Sequence, residues 1–387
     1  MKKIEILLYI VYAIVVLTAA AYSLLRPAYN WDVLPYIASM YSLESNDTNY
    51  IHTLTYGAVK SSVDEKTFIQ LTSGEYRKAM ADCAKCFMEQ LPFYKIKALY
   101  VLLIFFFYKL NIDIVRSTVL ISVISYVLIN FICLFWLRKV TNKQTIFIFT
   151  AIIFAIFPFL LNSASDSAPN MLSALFVLSA FYVLFKKKSV LFCILMLLAV
   201  FTRPDNIILL FISIIALYIY KNKDINISKP ALAITFIASI ALFQGINMWS
   251  GNYNWKILFE HSFNDRLITP AEHISDFNIL IYLKSFLKWP VMLKFSGFSV
   301  QALIFILTLY MLKCGKKFKE EKFKEALNPE MLILLITGAS IIIHYLLYPI
   351  IEDNYFTAQY LITDIIFIKT IIEKFSAVNY PTKSSVI

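Results

Sequence analysis

The chain has 387 residues, 59% of them hydrophobic and 16% charged, with a mean hydropathy of +0.69. Soluble domains hold about 45–50% apolar and about 25% charged residues, so a soluble body is excluded and an integral membrane protein is expected. With 7 Gly and no GxGxxG or Walker pattern a nucleotide loop is excluded too, and the net charge of +11 sits in short loops between apolar runs, where it sets topology rather than binding nucleic acid.

Met1-Lys2-Lys3 followed by apolar residues 4–25 predicts an uncleaved first transmembrane helix, because the run is too long for a signal peptide and no small-residue cleavage site follows. Candidate spans fall at 4–25, 115–137, 145–162, 169–185, 189–202, 207–220, 230–248, 297–312, 331–349 and 355–372. If each is crossed once, Lys2, Lys3, Arg138, Lys139, Lys143, Lys186 to Lys188, Lys221, Lys223, Lys229, the run from Lys313 to Lys324, Lys374 and Lys383 share one face. By the positive-inside rule that face is cytoplasmic. The apolar stretch 98–110 reaches only about 20 Å against a core of about 30 Å, and counting it as a crossing would scatter those charges. It is expected as a juxtamembrane helix in the outer interface.

The expected fold is therefore all-α: a single polytopic transmembrane domain over residues 1–387 with about ten spans. A first extracytoplasmic loop, 26–114, carries juxtamembrane helices, and a second covers 249–296. Residues 313–328 read as a solvated helix at the inner surface, with anionic-lipid contact as the second reading. No internal repeat is visible, which weighs against an inverted-repeat transporter. The five Cys make no disulfide framework; Cys83-Ala-Lys-Cys86 is read as two helix-face thiols, oxidation being the alternative in an outer loop.

Polar groups at the outer ends of the spans carry the functional reading. In Arg26-Pro-Ala-Tyr-Asn-Trp-Asp32-Val-Leu-Pro-Tyr36 a carboxylate stands among aromatic residues, where desolvation raises its proton affinity and suits a general base. The plainer alternative is a helix cap in an aromatic belt. Asp166, in Asn162-Ser-Ala-Ser-Asp166-Ser-Ala-Pro-Asn170, is a second acidic candidate or the N-cap of the next helix. The runs 189–202 and 207–220 give about 21 Å of helix each, so Thr202-Arg203-Pro204-Asp205-Asn206 between them lies below the membrane surface. An Arg at that depth needs an anion, either Asp205 or a ligand phosphate that suits its forked donors.

Lys97, in Leu91-Pro-Phe-Tyr94-Lys95-Ile-Lys97-Ala-Leu-Tyr100, either snorkels to lipid phosphate or meets a substrate phosphate. Tyr348-Pro-Ile-Ile-Glu352-Asp353-Asn354-Tyr355-Phe356 offers carboxylates and aromatic rings to the same side, or is a solvated turn. His52, His261, His273 and His344 lack metal-ligand spacing, so no metal and no other cofactor is assigned.

A carboxylate just after the first helix, a large first loop ending in an amphipathic helix, and Asp and Arg at successive outer turns resemble the GT-C superfamily of membrane glycosyltransferases. That superfamily includes protein O-mannosyltransferases and the aminoarabinose transferase of lipid A. Asp32 matches its acidic base, Lys97-Ala98-Leu99-Tyr100 is similar to its Lys-Pro-Pro-Leu-Tyr segment without the prolines, and Thr202-Arg203-Pro204-Asp205 resembles a Thr-Arg-Pro-acidic turn of some bacterial members. A single Asp stands at 32 where several members have an acidic pair, and Asn354 stands where relatives often carry Arg before Tyr.

The resemblance implies an inverting transfer of a sugar from a polyprenyl-phosphate-linked donor to an extracytoplasmic hydroxyl acceptor, without a nucleotide sugar. Asp32 would be the base, with Arg203, Lys97 and Tyr100 at the donor phosphate and Asp166, Asp205 and Asp353 as supporting acids. Glycosyl transfer passes through an oxocarbenium-like state, which asks for a base at the acceptor and cations at the leaving phosphate. The expected partners are the donor, the acceptor and membrane lipids, with no nucleic acid. Abundant Ile, Lys and Asn suit an AT-rich bacterial genome, so the expected place is the cytoplasmic membrane of a bacterium, with the site facing outside. A transporter or flippase of lipid-linked sugars and a polymerase of polysaccharide repeat units are the rival readings.

Overall fold

A computed structural model describes residues 3–141, 143–220, 225, 227–275, 277–287, 296–314 and 328–379. Lys2, Lys221, Lys223, most of the Lys-rich run 313–328 and Lys383 lie outside the described residues. Among the described residues the elements are helices, and an isolated bridge pairs Ala28 with Asp166.

Helix α1, Lys3–Leu25, is apolar on all sides. Only a narrow stripe, Tyr12, Val16, Ala20 and Ser23, is buried, while Ile6, Leu7, Ile10 and Leu17 stay exposed, as on a helix that meets lipid rather than water. Seven short helices follow: α2 Val33–Tyr41, α3 Thr48–Ser62, α4 Glu65–Thr72, α5 Glu75–Asp82, α6 Ala84–Met88, α7 Pro92–Lys95 and α8 Ala98–Lys109. They carry a core of their own, in which Ile51, Val59, Met80 and Phe87 are fully buried. The chain turns by 110° between α6–α7 and α8, so the apolar α8 does not continue the helices before it.

Helix α9, Ile114–Val140, is the central strut, started by Asp113 capping the Arg116 N–H at 2.7 Å. Tyr12 donates to the Asn130 carbonyl at 2.7 Å, and Tyr126 to the Ala155 carbonyl at 2.7 Å, so hydroxyls tie α9 to its neighbours inside apolar surroundings. The expected span 145–162 is broken: α10, Gln144–Ala155, and α11, Pro158–Ser165, meet at 50°. Pro158 has no N–H to give to an α-helical ladder, and its ring crowds the preceding turn. Then come α12 Asn170–Phe185, α13 Ser189–Thr202, α14 Asn206–Ile219, α15 Lys229–Ser250, α16 Trp255–Phe263, α17 Ile279–Phe286, α18 Phe298–Cys314, α19 Pro329–Leu347 and α20 Thr357–Asn379.

Among the described residues four helices, α1, α9, α15 and α19, are long and apolar enough to cross a membrane, or up to six spans if each bent pair counts as one. Helices α12, α13, α14 and α18 are apolar but shorter. Cys83 and Cys86 differ from the expected thiols by forming a disulfide. The reason is local: Cys83 is an extended residue between α5 and α6 (φ −126°, ψ 98°), so the pair does not ride on one helix face.

Candidate functional site

The chain leaving α1 is stitched to the chain leaving α11. The Ala28 N–H donates to the Ser165 carbonyl at 2.8 Å, and Ser122 on α9 donates to the Asp166 carbonyl at 2.8 Å. Asn30 spans the two acids: its amide donates to Asp166 Oδ1 at 2.8 Å, and its Oδ1 accepts the Asp32 N–H at 2.9 Å. Two carboxylates separated by 134 positions in the sequence thereby share one polar cluster.

Asp32 points into an aromatic frame. Tyr94 donates its hydroxyl to Asp32 Oδ1 at 3.0 Å, and the Tyr94 ring is held edge-on by Trp31 at 6.0 Å and Tyr36 at 5.2 Å. Burial pushes the Asp32 carboxyl above the usual range, while the Tyr94 hydrogen bond and the Lys97 charge pull the other way. Asp166 is pushed up to about 7 by burial and by the charges of Asp32 and Glu352.

Neither acid caps a helix. Asp47, Asp64 and Asp113 each accept an N–H three residues ahead, at Tyr50, Thr67 and Arg116, as capping acids do. Asp32 precedes α2 without accepting any such bond, and Asp166 ends α11 while Pro169 occupies the N-cap of α12. The capping alternatives for Asp32 and Asp166 are thereby removed.

Two cations stand on the same cluster. Lys97 is half-buried, donates to the Phe93 carbonyl and lies over the Tyr94 ring at 5.6 Å. Burial and the nearby Arg203 charge push its ammonium down to about 8. Arg203, 7% exposed, grips Asp205 with two donors, Nε at 3.2 Å and Nη2 at 2.7 Å, and Asn170 with a third at 2.6 Å. The Tyr355 ring covers the guanidinium at 4.3 Å. A guanidinium has five N–H donors, so two have no acceptor among the described residues. Burial works against charge on Asp205, but Arg203 and His344 outweigh it and hold the carboxyl well below the usual range. His344 Nε2 is 3.3 Å from Asp205 Oδ2.

Other expected residues sit elsewhere. Tyr100 is fully buried, donates to the Thr118 carbonyl at 3.0 Å and sets its ring edge-on to Tyr36 at 4.9 Å, so it braces α8 on α9. Asp353 is spent on structure, accepting the Gly297 N–H at 2.7 Å and the Tyr360 hydroxyl at 3.3 Å. Its neighbour Glu352 is exposed, and its charge, after that of Asp32, is felt at Asp166. Asn354 accepts from Ser163 at 2.7 Å. Sequence reasoning passed over Asn30 and His344. Asn30 gives no signal beyond its closeness to Asp32, whereas His344 gives one, being a polar side chain inside the apolar α19.

The connection 249–296 closes over the first set of short helices. The Gln90 amide donates to the Leu267 and Ile268 carbonyls at 3.1 and 3.0 Å, Tyr253 to the Glu89 carbonyl at 2.9 Å, and His261 stacks on Phe93 at 4.9 Å. Among the described residues no three His, Cys, Asp or Glu side chains gather as a metal site would require. Compared with known proteins, the chain matches no family model, and no curated protein or solved structure is similar to it.

Proposed function

We propose that the protein is a membrane glycosyltransferase that moves a sugar from a polyprenyl-phosphate carrier to an extracytoplasmic hydroxyl acceptor. The observation that carries this reading is the pairing of a non-capping, half-buried carboxylate of raised proton affinity, Asp32, with two cations on the same cluster, Lys97 and Arg203. Asp32 takes the acceptor proton as the hydroxyl attacks the anomeric carbon, and the carrier phosphate leaves toward Lys97 and the two free donors of Arg203. Tyr94 holds the carboxylate oxygen in place. Asp166, near neutral in proton affinity, buffers the charge beside it. The Arg203–Asp205 pair is close to charge-neutral, so Lys97 supplies most of the net positive field. Transfer with inversion follows from a single displacement with one base.

The topology that belongs to this function has about ten spans, with α12, α13, α14 and α18 as short crossings and residues 26–114 outside the cytoplasmic membrane of a bacterium. The Cys83–Cys86 disulfide supports that placement, since disulfides persist in oxidising compartments. The clustered Lys139, Lys186, Lys187 and Lys188 support the opposite face as cytoplasmic.

The test is Asp32→Asn, assayed with a polyprenyl-phosphate-sugar donor. Transfer should fall by about 10²–10⁴-fold, the usual contribution of a general base, while donor binding survives. Near-parental transfer would move the base to Asp166. A parent that carries the donor across a bilayer without releasing carrier phosphate would replace this reading with that of a flippase.

A further inference from the structure

At the far end of α9 from Asp32 the helices part around a recess of about 160 Å³. Its walls come from the last turns of α9 and α12 and from α19 and α20, and its polar rim holds Lys139, Lys186, Lys369 and Glu330. Lys369 is already committed to Glu330 and Glu373. Lys139 and Lys186 have no anionic partner among the described residues; Lys186 rests over the Tyr182 ring at 4.2 Å. The Trp136 ring, buried, floors the recess between Tyr182 at 5.7 Å and Phe185 at 5.3 Å.

Its position along the membrane normal follows from helix geometry. Ser122 on α9 contacts Asp166 in the polar cluster, and Lys139 lies 17 residues further along the same helix. At 1.5 Å per residue that is about 26 Å, close to the thickness of a hydrocarbon core of about 30 Å. Below Lys139, on the same face at four-residue spacing, come Phe135 and Phe131, both nearly half exposed. An apolar stripe that ends in an uncommitted lysine and an aromatic floor has the form of a bound lipid: chain along the stripe, headgroup at the top.

We infer that this recess binds an anionic phospholipid of the cytoplasmic leaflet, its phosphate between Lys139 and Lys186, its first chain carbons on Trp136 and its acyl chain along Phe135 and Phe131. A soluble phosphate would use the lysines alone and leave the apolar stripe without a role. Two lysines near a bilayer surface strengthen such binding roughly fivefold each, so about 30-fold together. The site is independent of the sugar-transfer chemistry, and its test needs no turnover.

The full-length protein in nanodiscs is titrated with phosphatidylglycerol brominated in the acyl chain near the headgroup, and tryptophan quenching is followed against brominated phosphatidylcholine. Quenching by the anionic lipid should saturate at low mole fraction and exceed that by the neutral lipid. Trp136→Phe should remove the excess, and Lys139→Gln with Lys186→Gln should raise the half-saturating mole fraction by about 30-fold. Lys139→Arg with Lys186→Arg, which keeps charge at two exposed positions, should retain it. Equal quenching by the two lipids, or an unchanged midpoint in the double Gln variant, would overturn the proposal. Displacement of the lipid by millimolar glycerol phosphate would overturn the lipid assignment and leave a soluble-phosphate site.

Discussion

Residues 26–114 and 249–296 are both long connections between apolar helices, but they are built to different plans. The first packs seven helices around buried Ile51, Val59, Met80 and Phe87, and Phe87 in turn meets Trp31 at 6.3 Å, one residue from Asp32. Among its described residues the second has one comparably buried aromatic, Phe259, stacked on Phe263 at 4.8 Å within its own helix. It reaches the first through hydrogen bonds at Gln90 and Tyr253 and through the rings of His261 and Tyr253 on Phe93 at 4.9 and 5.1 Å. The difference teaches that Asp32, the proposed base, is positioned by a packed core, whereas the covering segment is joined to that core at its surface by a few hydrogen bonds and ring contacts.

The strongest way to break that comparison is a pair of core truncations. Phe87→Ala and Phe259→Ala should each cost about 3–5 kcal/mol of local stability, as buried Phe deletions do. Only Phe87→Ala should also lower sugar transfer, measured at a temperature where thermal unfolding shows both variants folded. Equal losses of transfer would mean that both connections position Asp32.

Tyr94→Phe sharpens the role of the first connection. The Tyr94 hydroxyl stabilises ionised Asp32, so its removal raises the carboxyl pKa further. A base works only when deprotonated, and the acid limb of the pH–rate profile should therefore move to higher pH. An unmoved limb would detach Tyr94 from the reacting group. On the alkaline side, Lys97 loses its charge as pH rises through about 8, so transfer should decline there. Lys97→Arg, charged throughout, should carry activity to higher pH, and kcat/KM from pH 6 to 10 reads both limbs.

The smallest effect is expected at the Lys85–Glu272 ion pair, which joins the two connections at 2.8 Å with both side chains more than 60% exposed. Exposed pairs of this kind are screened by salt and water. Lys85→Ala should leave melting temperature and transfer unchanged. A clear fall in either would show that the second connection is held more firmly than its packing indicates.

How far the sequence foretold the site depends on what each residue depends on. Asp32 and Arg203 stood out because a charge beside an apolar run has few places to go, and that inference needs only local sequence. The Arg203–Asp205 alternative was equally visible, two residues apart, and the pair is present alongside two spare donors. Tyr100 could not be judged in this way, because its burial follows from how α8 lies on α9. The exchange of Asp353 for Glu352 is of the same kind: Gly297 and Tyr360, distant in sequence or across a turn, claim the Asp353 oxygens. The break at Pro158 was written in the chain, but hydropathy alone runs straight through it. Membrane class and helical composition were legible because they are sums over many residues; the cluster's membership was not, because it is decided by single long-range hydrogen bonds.

One of those bonds also dictates when the protein can start to work. Asn30 ties Asp32 to Asp166, 134 residues further on, and the Ala28 bridge joins the same two segments. A ribosome adding about 5–20 residues per second needs about 7–27 s to cover that distance, and α9, α10 and α11 must all emerge in the interval. During that time Asp32 has only the partners of its own connection, Tyr94 among them. The nascent chain therefore carries the proposed site unfinished through the insertion of its first half: Asp166 arrives with the turn after α11, and Arg203 only after α13.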